Sequence, residues 1–135
     1  MRRGLLALPL LAGCAAPGAM PACPEGMQAA TVAEAYFGRS VRDRPEVRDD
    51  EWDAFLGEVV TPAFPDGLTA LDGAGQWRRA EGTILRERSK LLVVVLPGQD
   101  AAAARARLRP VEEAWKQRFR QQSVLTATHA ACVGF

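Results

Sequence analysis

The chain has 135 residues, with 17 basic against 16 acidic side chains and a formal net charge of +1 at pH 7. This balance gives no electrostatic basis for nucleic-acid binding and contains no polybasic run to hold an anionic membrane surface. The length suits one domain with its own core.

The first 13 residues have the layout of an export signal. Arg2 and Arg3 form a short positive segment, an apolar stretch follows, and small residues precede Cys14. The apolar stretch is far shorter than the roughly 20 residues of a transmembrane helix. We therefore predict a signal peptide at residues 1–13, with a secretory signal cut after Ala19 or Ala22 as the alternative.

Leu-Ala-Gly-Cys at residues 11–14 resembles the lipobox of bacterial lipoproteins. The resemblance implies that Cys14 is lipid-modified and begins the mature protein, since two or three acyl chains hold a protein at a membrane where one is marginal. Ala15, in place of Asp, resembles an outer-membrane sorting signal. We expect a lipid-anchored protein on the periplasmic face of the outer membrane or, with an ordinary signal, one secreted to the periplasm.

If Cys14 carries lipid, Cys23 and Cys132 remain as an even pair. An oxidising compartment favours a disulfide between them, and the alternative is two separate buried thiols. The disulfide would tie the start of the domain to its last strand. Closing a loop of about 100 residues stabilises a fold by up to about 4.7 kcal/mol in the chain-entropy model.

The mature chain is expected to begin with a flexible tether over residues 14–27, rich in Ala, Pro and Gly, before a single domain over residues 28–135. A first strand is predicted at about residues 30–40. Asp49 or Asp50 is expected to cap a helix whose first turn carries three carboxylates, and Pro62 to end it. Its apolar residues recur at helical spacing and predict one buried stripe: Trp52, Phe55, Leu56, Val59 and Val60.

Two strands are predicted after the turn at residues 65–67. The first begins at residue 68 and continues to residue 78, and Gly73 and Gly75 suggest a bulge or a bend in it. The second covers residues 83–96. Its last six residues are apolar without alternation, which is typical of a strand covered on both faces.

A second helix is predicted to begin after Asp100 as its cap, with Pro110 expected to kink or split it. The last strand covers residues 123–135 and contains His129, expected to be a packed or edge residue. The resulting order, β-α-β-β-α-β, predicts an α+β fold of the ferredoxin-like type. In that plait, a four-stranded antiparallel sheet carries both helices on one face.

The predicted plait leaves one sheet face open, although residues 91–96 are apolar on both faces. A bare apolar face would exceed what a soluble monomer usually exposes. A homodimer through the open face is therefore expected, because one self-complementary patch suffices for a two-fold partner. The rival covers are the tether and the kinked second helix.

Three short motifs occur along the domain: Thr-Pro-Ala-Phe-Pro-Asp-Gly-Leu-Thr at residues 61–69, Gly-Gln-Trp at residues 75–77 and Arg-Glu-Arg-Ser-Lys at residues 86–90. Together they resemble the pattern of an uncharacterised family of small exported bacterial proteins and lipoproteins, and the first motif is the most specific. The resemblance spans about residues 30–135. It implies an exported domain of that extent, and no activity is established for the family.

The sequence contains no motif for catalysis or for a cofactor. There is no cysteine–histidine spacing for a metal, no Gly-x-Ser-x-Gly elbow and no phosphate-binding loop. We therefore predict no catalytic residue, no metal and no cofactor.

The third strand carries an unusual row of charge. Arg86, Arg88 and Lys90 share one face, and Glu87 points to the other. Either this half is a solvated hairpin extending past the helices, or it forms a rim that binds a carboxylate or sulfate through Arg86. Four further residues would join this candidate ligand site only if the fold brings them there: Asp66, Gln76, Trp77 and Tyr36.

These observations favour a lipid-anchored envelope protein with a binding or structural module. The alternative is a small cofactor-free enzyme, of isomerase or oxygenase type, acting in a cleft of a ferredoxin-like dimer, an idea that depends on fold analogy. A concave pocket containing an acid or base with a strongly displaced pKa would favour the enzyme.

Overall fold

The computed structural model describes residues 20–134, so the predicted signal peptide, Cys14 and the first part of the tether lie outside the described residues. The described strands form one antiparallel sheet in the order β2-β3-β1-β4, which confirms the predicted plait. No helix among the described residues has the length and apolar character needed to cross a bilayer. The elements are β1 (Gln28–Gly38), α1 (Asp49–Phe55), a π-helical turn (Leu56–Val60), α2 (Thr61–Ala63), β2 (Thr69–Arg78), β3 (Ile84–Pro97), α3 (Ala101–Phe119) and β4 (Leu125–Val133).

The core lies between the helices and one face of the sheet. Trp115 of α3 is fully buried, and its ring centroid lies 5.1 Å from that of Phe37 on β1 and 5.0 Å from that of Phe55 on α1. Edge-to-face packing of this kind stabilises aromatic pairs beyond the area they bury. The aromatic cluster therefore joins both helical segments to the central strand.

The first helix is not capped by Asp49 or Asp50, as the sequence suggested. The cap position is Arg48, and the Glu51 carboxylate accepts a hydrogen bond from the Arg48 backbone N–H at 2.9 Å. A glutamate three residues inside a helix can reach back in this way, which is half of a capping box. The three carboxylates therefore all lie within the first turn.

Pro62 does not end this helical segment. A π-helical turn precedes Pro62, and the chain then continues through the short α2. A regular α-helix would place the proline ring against the carbonyl of Glu58. The wider turn replaces that geometry, because the Thr61 N–H bonds to the carbonyl of Leu56, five residues back.

Pro110 does not divide α3, which runs unbroken from Ala101 to Phe119. The missing proline N–H leaves the carbonyl of Ala106 without its usual partner. Both residues are exposed, so water can bind that carbonyl. The N-terminal cap is confirmed, because the Asp100 carboxylate accepts from the Ala103 N–H at 2.8 Å.

The two glycines of β2 produce no bulge, since the pairing of β2 with β3 continues through both without a break. Gly73 instead leaves room for the side chain of Ser89 on β3. A Cβ atom at this position would lie 2.6 Å from the Ser89 hydroxyl oxygen.

Candidate functional site

The charged half of β3 belongs to a hairpin that extends past the helices. Arg86 lies opposite Gln76 on β2, and Lys90 lies opposite Asp72. Arg86 and Arg88 are exposed, whereas Lys90 is buried at the point where the hairpin meets the core. The three cations share a face, as the sequence indicated, but their surroundings differ.

Lys90 is held by two carboxylates. Its Nζ lies 2.6 Å from Oδ1 of Asp72 and 2.9 Å from Oδ1 of Asp49, and the side chain is 9% exposed. Burial lowers the pKa of Lys90, but the hydrogen bonds to Asp72 and Asp49 outweigh it and raise the net pKa above its usual value. Lys90 therefore joins the hairpin to α1 and is not available to bind an anion.

A buried arginine, Arg39, extends this charge cluster. Its Nε donates to the Val47 carbonyl at 2.6 Å and its Nη1 to Asp49 Oδ1 at 3.0 Å. The hydrogen bond from Lys90 is the main reason that the pKa of Asp49 lies below its usual value. Arg88 binds Glu46, at 2.8 Å between Nη1 and Oε1. Sequence reasoning missed Arg39, because a single arginine after a strand carries no signal of burial.

Of the residues predicted to form an anion-binding rim, Arg86 and Gln76 are the two that still fit the prediction. Arg86 forms no ion pair with any carboxylate in the part of the chain that the structure describes. It lines a shallow depression of about 210 Å³ with Gln76, Glu87, Arg88 and the small residues Ala74 and Gly75. The Glu87 carboxylate points to the other face, where it accepts a hydrogen bond from the Ser40 backbone N–H at 3.0 Å.

The other three candidates lie elsewhere. Asp66 lines a separate depression of about 90 Å³ beside Leu96 and Arg107. Because Leu96 is ten residues from Arg86 along β3, the two depressions are about 33 Å apart at the rise of a strand. Trp77 and Tyr36 lie on the face of the sheet opposite to that of Gln76 and Arg86, since Trp77 follows Gln76 on β2 and Tyr36 is opposite Leu91 on β3. The predicted site is therefore not assembled in full.

The sheet face away from the helices is a large surface, which the sequence predicted only as the open side of the plait. Leu71 is 49% exposed and Leu125 is 68% exposed, at opposite edges of the sheet. We call this surface the open face; strand register places its central side chains in three rows. The rows are Leu71, Leu91, Tyr36 and Leu125; Thr69, Val93, Glu34 and Ala127; and Val95, Val32 and His129.

One hydrogen-bonded polar pair lies in the middle of the open face. The Tyr36 hydroxyl donates to Glu34 Oε2 at 2.7 Å. This hydrogen bond is the main cause of the raised pKa of Tyr36, with smaller contributions from burial and from the charge of Glu34. The sequence signal that could have predicted this pair is the alternation of Val32, Glu34 and Tyr36 along β1, which places the three side chains on one face. His129 lies on the edge strand β4, opposite Val32.

The structure joins Cys23 to Cys132 in a disulfide, with 5.5 Å between their Cα atoms. That separation is within the usual range for the bond. Cys132 lies opposite Ala29, and strand alternation places both on the side of the sheet that carries the helices. The end of the tether is therefore attached to the helix side. No group of three or more potential metal ligands occurs within residues 20–134.

The chain is similar in fold to a phage enzyme. It matches a phage SAM lyase in complex with S-methyl-5′-thioadenosine with a TM-score of 0.56 and 14% identity, covering 87% of this chain and 96% of that chain. The same lyase in its apo state matches with a TM-score of 0.56 and 12% identity, covering 87% and 97%. At these identities the likeness concerns the fold alone.

Another similarity is weaker, to the crystal structure of PelD 158-CT from Pseudomonas aeruginosa PAO1. The TM-score is 0.30 at 18% identity, with 78% of this chain and 32% of that chain covered. No curated protein matches the chain.

The family comparison covers nearly the whole folded domain. Residues 32–135 match the family described as protein of unknown function (DUF3574). The match includes α1, the π-helical turn, α2, α3, β2, β3 and β4, and most of β1. The chain therefore belongs to the DUF3574 family.

Proposed function

We propose that this protein is a lipid-anchored envelope protein whose domain acts as a binding or structural module through its open face. The observation that carries the proposal is the exposure of apolar side chains there. Leu71 and Leu125 are about half exposed or more, and Val95 is 39% exposed. A contiguous apolar surface that crosses four strands is typical of a protein contact site.

The concave surfaces give less support to catalysis. The two depressions described above are small or shallow and are lined by Arg107 and Asp66 or by Arg86 and Glu87. The carboxyl groups with displaced pKa values have lowered ones: Asp49, Asp50, Glu51 and Glu81. None of these four lines either depression. Neither of these two depressions therefore contains the perturbed acid or base that would favour an enzyme.

The position of the disulfide is consistent with a membrane anchor at Cys14. Cys23 follows Cys14 by nine positions in the sequence, and a fully extended chain of nine residues spans about 30 Å. A lipid on Cys14 would therefore keep the domain close to the bilayer.

Fractionation of cells that express the full chain tests the anchor. Wild-type protein is expected in the membrane fraction, and Cys14→Ser is expected in the soluble periplasmic fraction. A mature N-terminus beyond residue 14, with membrane association unchanged by the substitution, would rule out the anchor.

Site-specific photocrosslinking in intact cells tests the binding surface. A photoreactive amino acid at position 125 should give crosslinked products, whereas one at position 84 should give few. Ile84 is a matched control, because it is an apolar residue with 43% exposure at the tip of the hairpin, outside the open face. Equal labelling at the two positions would count against the open face as the binding surface.

The enzyme alternative has one observation in its favour, the Tyr36–Glu34 pair on the open face. A hydroxyl bound to a carboxylate could transfer a proton if a dimer enclosed it. Because the phage lyase of similar fold was determined with S-methyl-5′-thioadenosine, titration calorimetry with this nucleoside is a direct test. Binding that disappears in Tyr36→Phe would favour the enzyme over the binding module.

A further inference from the structure

We propose that the occupant of the open face is a second copy of this chain, related by two-fold symmetry. The inference rests on the proposed function, since it names the partner of the same surface.

The open face is large enough for a stable dimer. From the row of Gly73 and Ser89 to the row of Pro97 and Ala131 the strands extend about 27 Å, and four strands are about 19 Å wide. The flat projection is therefore about 500 Å², and side-chain relief increases the accessible area. A standard interface buries about 800 Å² on each partner, which is of the same order.

The charges of the face suit self-association. Among its described side chains in the three central rows, Glu34 is the one carboxylate and His129 the one imidazole, on neighbouring strands. An apolar partner would leave Glu34 with only the Tyr36 hydroxyl, and an underpaired buried carboxylate is costly. A second copy places apolar rows against apolar rows and supplies the imidazole of the partner's His129 to Glu34. Two-fold symmetry forms each of these contacts twice.

The position of the tether removes one rival cover. The disulfide attaches Cys23 to Cys132 on the helix side, so this end of the tether does not begin on the open face. Val95, near the same end of the sheet, is 39% exposed with residues 20–27 in place. The short link from Cys14 also confines anchored copies to one membrane surface, which raises their effective concentration.

Sedimentation equilibrium of the full chain tests the inference, with wild type in a density-matched detergent and Cys14→Ser in buffer. Both are expected to dimerise at micromolar concentration. At 50 µM, about 50 times the expected dissociation constant, more than 90% of the protein should be dimeric if the inference holds. A monomeric protein at this concentration would overturn the inference.

Paired substitutions locate the interface. Leu125→Lys should weaken the dimer by about 100-fold, because it places a charge in an apolar contact, while Ile84→Lys should change it by less than about threefold. Circular dichroism should show both variants folded. A dimer that is insensitive to Leu125→Lys, or equally sensitive to both changes, would show that another surface associates.

A charge exchange tests the predicted contact between Glu34 and the partner's His129. Glu34→Lys should weaken the dimer by about tenfold, and Glu34→Lys with His129→Glu should restore it to within a few fold. A double variant no tighter than the single one would refute the pairing.

The outcomes separate this inference from the proposed function. A monomeric protein whose position 125 crosslinks to a different envelope protein would overturn the second copy and keep the open face as the binding surface. A monomeric protein without crosslinks at position 125 would overturn both.

Discussion

The two faces of β3 carry the same kinds of side chain and have different environments. Leu92, Val94 and Leu96 point to the helices and are at most 5% exposed. The alternate residues Leu91 and Val93 are partly exposed, and Val95 is 39% exposed. An apolar run therefore indicates that a strand avoids water on both faces, but it does not identify what covers each face. Here the helices of the same chain cover one side, and we propose that a second chain covers the other.

The largest expected contrast between the faces is in the free energy of unfolding. Trp115→Ala should lower it by about 3 to 5 kcal/mol, as for other buried aromatic residues. Leu125→Ala should change that of the monomer by about 0.5 kcal/mol or less. Guanidinium denaturation at protein concentrations too low for dimerisation measures both free energies.

Trp115→Phe sharpens this contrast. The indole N–H of Trp115 is buried without an acceptor among residues 20–134, so its removal relieves an unpaired donor while most of the ring remains. The expected loss is well below that of Trp115→Ala. A loss as large as that of the alanine variant would contradict this account of the core.

The disulfide on the helix side is expected to have the next largest effect. Cys132→Ser should lower the free energy of unfolding by about 2 to 4 kcal/mol, because the bond restricts a long loop in the unfolded chain. Cys14→Ser is the matched control and should have no effect on it. A non-reducing peptide map should show the linked Cys23 and Cys132 peptides, and free thiols at both positions in protein from the envelope would refute the bond.

The charge cluster of Lys90 should contribute less. Lys90→Met removes charged hydrogen bonds to Asp49 and Asp72 and should lower the free energy of unfolding by about 2 kcal/mol. Arg86→Met, on the same face of the same strand, should change it by about 0.5 kcal/mol or less. Urea denaturation compares them, and similar losses would mean that burial of the lysine does not distinguish the two sites.

The same cluster predicts a dependence on acid. Because the pKa of Asp49 is lowered in the folded protein, its contribution to stability is present above its unfolded pKa of about 3.9 and is lost as the pH falls through the folded pKa. The free energy of unfolding should therefore fall more steeply below about pH 4 in wild type than in Lys90→Met. Parallel profiles would exclude the Lys90 bond as the cause.

The smallest expected effect is the difference in stability between alanine substitutions at two glycines of β2. Gly73→Ala should lower the free energy of unfolding by about 1 kcal/mol, because the new methyl group meets the Ser89 hydroxyl and crowding of this kind strains a well-packed site. At Gly75 the nearest atom to a new Cβ is the Glu87 carbonyl oxygen at 3.8 Å, an ordinary contact. Thermal unfolding should therefore rank Gly75→Ala as the milder change, and a Ser89→Gly background should remove the difference.

Proline positions show where reading the sequence failed. The sequence predicted that Pro62 ends a helix and that Pro110 kinks or splits one, yet helical structure continues past both. The buried stripe of α3 continues past Pro110 through Val111, Trp115 and Phe119. Packing of that stripe stabilises a helix more than one absent hydrogen bond on its exposed side destabilises it. Local propensity is thus a weak guide where tertiary contacts exist.

The sequence by itself determined the order of the elements, the plait and the shared face of Arg86, Arg88 and Lys90. Those features follow from residue periods of 2 and 3.6, which are properties of the local chain. Only the tertiary structure decided which charges pair: Lys90 with Asp72 and Asp49, and Arg39 with Asp49, while Arg86 stays at the exposed hairpin. Partners that are distant in sequence meet only after the strands have found their register, so their contacts leave no local pattern to read.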